Sequence, residues 1–597
     1  MQETTTLLSI IQERGARGLP LQHVYRMLYN RNLYLTAYGN LYRNQGAMTK
    51  GTTDETVDGM SLEKIERIIA MVRAERYRWK PVRRVSIPKP NGKTRPLGLP
   101  PWSDKLLQEV IRLILQAYYE PQFSRRSHGF RPGRGCHTAL TEIRHFWTGT
   151  RWFIEGDIRQ CFESLDHSIL LKILGRSIHD NRFLQLMQRL LRAGYLDDWH
   201  YHATLSGAPQ GGVVSPVLSN IYLNELDQYI TGTLIPAYTH GEQRRNNPAY
   251  QRISHRLWSL KDQKGHGAEV KRLIQERRGL PSGDPYDPEY RRLWYVRYAD
   301  DLLLGFIGPK QEAVQIKRQI KEWLGANLHL DLSEEKTLLT NATKGAARFL
   351  GYEIVNQQCQ TKCTNGQRSA NGRIALRVPG EVIQKKCQRY RRAGKPIHRP
   401  EREVESDASI VLGYQQEYRG VVQYYLLATN VCHLDRLRRV MEVSLLKTLA
   451  AKHRTRMTAM AAQYRATIIG PDGTSRVGLQ VCSEREGKRP IKVQFGGLPL
   501  KRQDKAILND RPPPPHVHYT ELERRVRAGV CEACGSTEHP EVHHVRKLKD
   551  IRGRGGRGVP AWRQHMAAIQ RKTLILCSAC HHKLHAGQFD DNFGRRY

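Results

Sequence analysis

The sequence predicts a multidomain α+β chain, with a large mixed catalytic region followed by helical segments and a small domain stapled by metal. Three observations carry this. The 597 residues exceed what one core accommodates at about 100 to 200 residues per domain. From Lys80 to Tyr352, β-prone runs alternate with helical patterns. The last 70 residues hold four of the eleven cysteines, arranged as two CxxC pairs.

In chain order, residues 1–75 form a helical extension, in which Leu62-Glu-Lys-Ile-Glu-Arg-Ile-Ile-Ala-Met-Val72 has apolar residues at helical spacing. Residues 76–355 are the mixed region, with strands at Val85-Ser-Ile87 and Trp152-Phe-Ile-Glu-Gly-Asp157 and a strong helix from Lys105 to Tyr119. Inside it, residues 229–293 are rich in Arg, Lys, Gly and Pro and read as a surface insertion, either a loose loop or an RNA contact. Residues 356–455 form the next unit, which over 410–452 turns to long helical patterns with basic faces, Gly413–Leu427 and His433–Lys447, whose tyrosines suit either a core or a nucleic-acid backbone. Residues 456–515 close on a polyproline spacer, Pro512–Pro515, and residues 516–597 are the cysteine-bearing tail.

Lys plus Arg number 96 against 57 Asp plus Glu, a net charge of +39, so a polyanion is the expected partner. A membrane is disfavoured, because no run of about 18 apolar residues exists and the basic residues are spread along the chain. The first residues, MQETTTLLSIIQERG, lack the pattern of a signal peptide, so the expected location is cytoplasmic. In a reducing compartment the paired cysteines argue for metal rather than disulfides.

The chemistry centres on Trp294-Tyr-Val-Arg-Tyr-Ala-Asp-Asp-Leu-Leu-Leu-Gly-Phe306, which sets Asp300 and Asp301 between two strand-like runs too apolar for a surface ribbon. Two carboxylates fixed there repel each other, and a divalent cation, usually Mg2+, relieves the repulsion. A third acid, Asp157, ends the apolar run Phe153-Ile-Glu-Gly-Asp157, where it can face the hairpin tip. Three carboxylates suffice for two metal ions and in-line phosphoryl transfer, which predicts a polymerase. Ser206-Gly-Ala-Pro-Gln-Gly-Gly-Val-Val-Ser-Pro216 is a Gly-rich turn opening a helix, able to approach a nucleotide or to serve as an ordinary loop. Ile87-Pro-Lys-Pro-Asn-Gly-Lys-Thr-Arg-Pro-Leu-Gly-Leu99 gives a basic hairpin that could clamp phosphates with Lys89 and Arg95 or serve as an ordinary charged turn.

Together these pieces resemble the reverse transcriptases of group II introns, the intron-encoded reverse transcriptase/maturase proteins. The segments IPKPNGKTRPLGLP, HGFRPGRGCHTAL, EGDIRQCFESLDH, GAPQGGVVSPVLSNIYLNELD, YVRYADDLLLG, LSEEKTLL and FLGYEI follow the family's order, and YRGVVQYYLLATN and SLLKTLAAKH look like its thumb and maturase region. The resemblance implies a right-hand polymerase of fingers, palm with an antiparallel sheet and helical thumb. It implies two Mg2+ ions at Asp157, Asp300 and Asp301, and Phe162 as a steric gate that excludes a 2′ hydroxyl. By the same resemblance Gln210 would touch the incoming nucleotide, Lys89 and Arg95 its triphosphate, and Lys336 would stand near the primer terminus.

The tail reads Cys531-Glu-Ala-Cys534, Glu541-Val-His-His544 and Cys577-Ser-Ala-Cys-His-His-Lys-Leu-His585. Two CxxC pairs fit a closed, structural Zn2+ site at Cys531, Cys534, Cys577 and Cys580, with four buried cysteines as the alternative. The histidines resemble those of an HNH, or ββα-metal, nuclease. The resemblance implies His544 as general base, His543 and His581 as ligands of a catalytic divalent ion, and His585 as a further ligand or a phosphate contact. Lys572-Thr573 stands where many such domains carry an Asn that orients the base. A zinc ribbon that grips DNA without cutting it is the alternative.

The reading is thus a ribonucleoprotein enzyme: intron RNA, a target duplex with its primer and deoxynucleoside triphosphates as partners, a DNA-binding segment at 456–515, and the nuclease beyond it. It would assist splicing and copy the intron into DNA at a cleaved target. A splicing-only maturase and a stand-alone reverse transcriptase are the competing classes. Oligomeric state, with a homodimer as one option, and a bacterial or organellar host stay open.

Overall fold

The computed structural model describes residues 3–589 except 45, 89–91, 93, 198–199, 205, 208–210, 262–265, 285–286, 360–362, 365–366, 369, 486–487, 507–520, 546–565 and 567–571. Lys89, Gln210 and the polyproline spacer at 512–515 therefore lie outside the described residues.

The N-terminal helices Thr4–Ala16, Arg31–Leu41 and Leu62–Arg73 join the helix Trp102–Tyr119 in one core. Leu62–Arg73 starts where the Ser61 side chain accepts the Lys64 N–H, and buries Ile65, Ile68, Ile69 and Val72, an i, i+3, i+4, i+7 stripe. Trp102–Tyr119 is buried nearly all round, as expected of a helix at the centre of a fold.

A four-stranded antiparallel sheet runs Leu339–Asn341, Trp152–Asp157, Asp301–Ile307, Arg292–Tyr298. Its residues alternate between two cores. Ile154, Leu293, Tyr295, Leu302, Leu304 and Phe306 face the first, while Phe153, Val296 and Leu303 face a second. Coverage on both faces explains why this sheet reads as a continuous apolar run rather than an alternation. A second sheet pairs Val82–Pro88 with Thr94–Leu99 as the predicted basic hairpin and adds Tyr195–Asp197 and His200–His202.

The insertion expected at 229–293 is narrower and folded. The helix Ser215–Tyr229 continues through a π-helical turn, Ile230–Leu234, into Ile235–Ala237, because Ile230 and Leu234 are buried and Tyr229 stacks on Trp323 at 4.7 Å. The inserted part is closed by His240 bridging Arg291. It carries two helices, Pro248–Ser259 and Gly267–Gly279, packed through Ile253, Leu260 and Leu273. Arg292 and Leu293 already belong to the sheet. Charged composition concealed a helical hairpin.

Further on, the line drawn at 355/356 falls inside a three-stranded sheet, Ala347–Phe349, Tyr352–Asn356 and Ile374–Arg377. The line at 455/456 separates residues that share a core. Leu479, Val481, Val493 and Phe495 of the sheet Arg465–Ile469, Ser475–Arg485, Lys488–Phe495 pack with Tyr414 and Tyr418 of the helix Asp407–Tyr424. Those tyrosines are core, not a nucleic-acid surface. The helix Asp435–Lys452 completes this unit. Among the described residues no helix is long and apolar enough to cross a membrane.

Among its described residues the tail has a helix, Glu521–Ala528, an antiparallel strand pair, Pro540–His544 with Thr573–Cys577, and a helix, Ser578–His585. It rests on the N-terminal extension. Gly59 N–H donates to Val542 O at 3.1 Å, Val542 N–H to Met60 O at 2.8 Å, and Leu522, Val526, Val542 and Ile575 enter the first core.

Candidate functional sites

The hairpin tip is built by backbone geometry. Ala299 has a left-handed φ of 55°, Asp300 fills the turn, and Asp301 begins the return strand directly opposite Asp157 on the neighbouring strand. A buried ion pair holds the turn. Arg297 reaches Asp227 at 2.6 Å and donates to Ala299 O at 2.8 Å and to Asn220 Oδ1 at 3.1 Å. Gly129 lies against the same turn, where a Cβ would stand 2.4 Å from Ala299 N.

Burial, then the charge of neighbouring Asp300 and of Asp157, pushes the Asp301 carboxyl up to about 7. Burial and Asp157 also raise Asp300, against the nearby positive charges of Arg95 and Lys336. Lys336 Nζ donates to Asp157 Oδ2 at 2.9 Å, and its charge acts on all three aspartates. A carboxylate cluster in which Asp301 is pushed up to about 7 and Asp157 already draws in an ammonium is chemically suited to divalent cations.

Other predicted residues converge here. The Phe162 ring meets Phe130 edge-on, with centroids 6.4 Å apart. The Gly-rich turn lies against both neighbours: a Cβ on Gly207 would stand 2.7 Å from Phe162 O, and one on Gly211 2.5 Å from Gly98 O of the basic hairpin. Three motifs far apart in sequence thus lie against one another.

In the tail, two sets of ligand atoms lie within 4.8 Å of one another among the described residues. The first is Cys531, Cys534, Cys577 and Cys580, a group able to hold a metal ion. Cys534 Sγ and Cys577 Sγ are 3.7 Å apart, close to the roughly 3.8 Å edge of a tetrahedron with thiolates at about 2.3 Å. Burial and the adjoining thiols push the Cys580 thiol well up, so these sulfurs as thiolates call for a cation.

The second set is His543, His581, His585 and an unpredicted member, Asp58. His543 Nδ1 and His585 Nε2 lie 3.3 and 3.0 Å from His581 Nε2. Glu541 Oε2 takes the other ring nitrogen of His581 at 2.6 Å, which turns Nε2 toward the cluster. Although burial opposes it, hydrogen bonds to Asp58 and Glu541 hold the His581 imidazolium up to about 9. Burial pushes His544 down to about 3, leaving a neutral imidazole as a general base requires. Its Nε2 is 2.7 Å from Tyr38 Oη, and Thr573 stands opposite it in the register of the strand pair. Tyr38, Asp58 and the supporting Arg297–Asp227 pair escaped sequence reasoning. Only Arg297, a charge inside an apolar strand, left any local signal.

Three family models match the chain: reverse transcriptase (RNA-dependent DNA polymerase) over residues 87–254, type II intron maturase over 380–465, and AI2M/AI1M-like HNH endonuclease over 531–581. The group II intron-encoded protein LtrA of Lactococcus lactis subsp. cremoris is 37% identical over 98% of this chain and 100% of its own length. The COX1/OXI3 intron 1 protein of Saccharomyces cerevisiae is 32% identical over 94% of this chain and 69% of its own. A 91 kDa protein in the cob intron of Schizosaccharomyces pombe is 33% identical over 95% and 70%.

Proposed function

Because this chain belongs to the group II intron-encoded proteins, with reverse transcriptase, maturase and HNH endonuclease domains, we propose that its two sites act in sequence on one intron. The HNH site cuts a strand of the target duplex, and the polymerase extends the resulting 3′ end on intron RNA with deoxynucleoside triphosphates. The observation that carries the polymerase half is the register that sets Asp157 across from Asp301 beside Asp300.

In this reading the four-stranded sheet is a palm, the basic hairpin belongs to the fingers, and the helices Asp407–Tyr424 and Asp435–Lys452 form the thumb. Asp157, Asp300 and Asp301 would hold two Mg2+ ions, which supply charge neutralisation at the attacking and leaving oxygens. Arg95 and Lys89 clamp the triphosphate, Gln210 contacts the nucleotide, and the Phe162 ring fills the space a 2′ hydroxyl would need. Lys336 shares Asp157 and steadies the primer end. In the tail, Cys531, Cys534, Cys577 and Cys580 would hold a structural Zn2+, which would tie the strand pair to its flanks. His543, His581 and His585 would hold a divalent ion that supplies charge for the leaving oxygen, while neutral His544 accepts the proton of water.

The test is primer extension on an RNA template with Mg2+, comparing the native chain with Asp300→Ala and scoring intron splicing in the same preparation. DNA synthesis lost in the variant with splicing retained is the expected result. No synthesis by the native chain beside intact splicing would leave a maturase alone.

A further inference from the structure

Asp58 comes from the N-terminal extension, 485 residues before the first histidine of the nuclease motif, yet it sits among that motif's ligands. Its Oδ2 is 2.9 Å from His585 Nε2, and its Oδ1 is 3.5 Å from both His581 Nε2 and His543 Nδ1. With the His581 distances of 3.3 and 3.0 Å to His543 and His585, five distances among the four residues, two of them to Asp58 Oδ1 and one to its Oδ2, span 2.9 to 3.5 Å. An ion bound tetrahedrally by nitrogen and oxygen at about 2.0–2.1 Å spaces its ligands by roughly 3.3 Å. Each of the four residues therefore offers an atom to one set at the spacing of a bound ion, with Asp58 reaching the histidines through both carboxylate oxygens.

A fourth residue in the set has a consequence. A catalytic ion of this kind keeps one position open for substrate, whereas four protein ligands describe a structural site. Here the fourth corner, where a scissile phosphate oxygen must enter, is filled by a carboxylate. The backbone holds it there: Gly59 and Met60 pair with Val542, and Asp58 Oδ1 also accepts the His544 N–H at 2.7 Å. The same extension covers the base, since Tyr38 Oη meets His544 Nε2 and the residue is 6% exposed.

We infer that Asp58 is the fourth protein ligand of the nuclease ion and holds the nuclease latent, in the seat of a DNA phosphate, until the N-terminal extension withdraws. The inference rests on the nuclease reading of the tail. It adds that DNA cleavage requires Asp58 to leave the histidine cluster and Tyr38 to leave His544.

The test uses the full chain, freed of metal and titrated with Co2+, beside Asp58→Ala and Asp58→Asn. Asn keeps an acceptor for the His544 N–H, so a folding defect in the Ala variant is recognised. The histidine site is followed by its d–d absorption, which lacks the thiolate charge-transfer band of the cysteine site. Nicking of a supercoiled plasmid is measured in parallel, with His544→Ala as control. Expected are Co2+ binding at the histidine site weakened by about tenfold or more in both variants, and nicking raised by about fivefold or more. Unchanged Co2+ affinity overturns the assignment of Asp58 as a ligand, and weaker affinity with slower nicking overturns latency. Nicking that survives His544→Ala overturns the nuclease reading itself, while the Co2+ titration still decides the ligand.

Discussion

At the scale of single residues, buried and half-buried carboxylates in this protein divide by what they face. Asp301 faces other acids and waits for a cation. Asp104, on the central helix, faces donors instead: it accepts the Tyr77 hydroxyl at 2.6 Å and the Lys80 N–H at 3.0 Å. Burial nevertheless outweighs those bonds and pushes its carboxyl up to about 6, from 3.8. A folded value above the unfolded one means that the protonated acid stabilises the fold. That contribution is complete below pH ~4 and is lost as pH rises through about 6, at a cost of roughly 3 kcal/mol. Asp104→Asn keeps an acceptor for Lys80 and a partner for Tyr77 without the charge. Its thermal midpoint is expected to match the native chain near pH 4 and to exceed it increasingly up to about pH 6, then by a constant margin. A constant difference across pH 4–8 would show that Asp104 ionises freely. Residues of this kind are only half legible in a sequence. Asp157, Asp300 and Asp301 could be read because each ends or interrupts an apolar run. Asp58, in a polar stretch beside a glycine, looks like any turn, and only its partners 485 residues away give it meaning.

At the scale of elements, the two-strand hairpin with its acidic tip was legible because burial on both faces leaves an apolar run with one break. What fixes the tip was not. Arg297 lies inside the quoted run and reads as one polar residue of a strand, while its partner Asp227 is 70 residues earlier, across the insertion. Both side chains are fully buried, and the guanidinium gives three of its bonds to Asp227 and Ala299. Replacing Arg297 by Met removes the clamp on the turn and strands the Asp227 charge, which breaking a buried pair predicts to cost about 3–5 kcal/mol. Exchanging both residues for apolar ones, Arg297→Met with Asp227→Leu, should recover much of that stability. DNA synthesis should stay low in the double variant, since Ala299 O has lost its donor. Urea unfolding together with primer extension reads both effects. Recovery of synthesis along with stability would reduce the pair to ordinary packing.

At the scale of the whole molecule, the N-terminal extension and the tail pack together, and the sequence offered no hint of this. Composition and periodicity report neighbours a few residues apart. They divided the chain into five consecutive units, whereas packing follows two large cores and joins the first unit to the last. The contact is apolar beneath and polar at its rim: Leu522, Val526, Val542 and Ile575 enter the N-terminal core, while Arg527 reaches Asn32 and His539 reaches Glu63. The helices Arg31–Leu41 and Leu62–Arg73 thus draw part of their stability from the tail, through apolar area that water would otherwise wet. Ending the chain at residue 515 should leave the central sheet intact, because its strands bury against other elements. Amide hydrogen exchange should rise by about tenfold or more in those two helices, with little change in Trp152–Asp157 and Asp301–Ile307. Equal protection of the helices in the shortened chain would mean that the tail is a passenger on a self-sufficient N-terminal core. Selective loss would mean that the nuclease and the extension fold as one unit, so that any signal moving the extension must reach the nuclease as well.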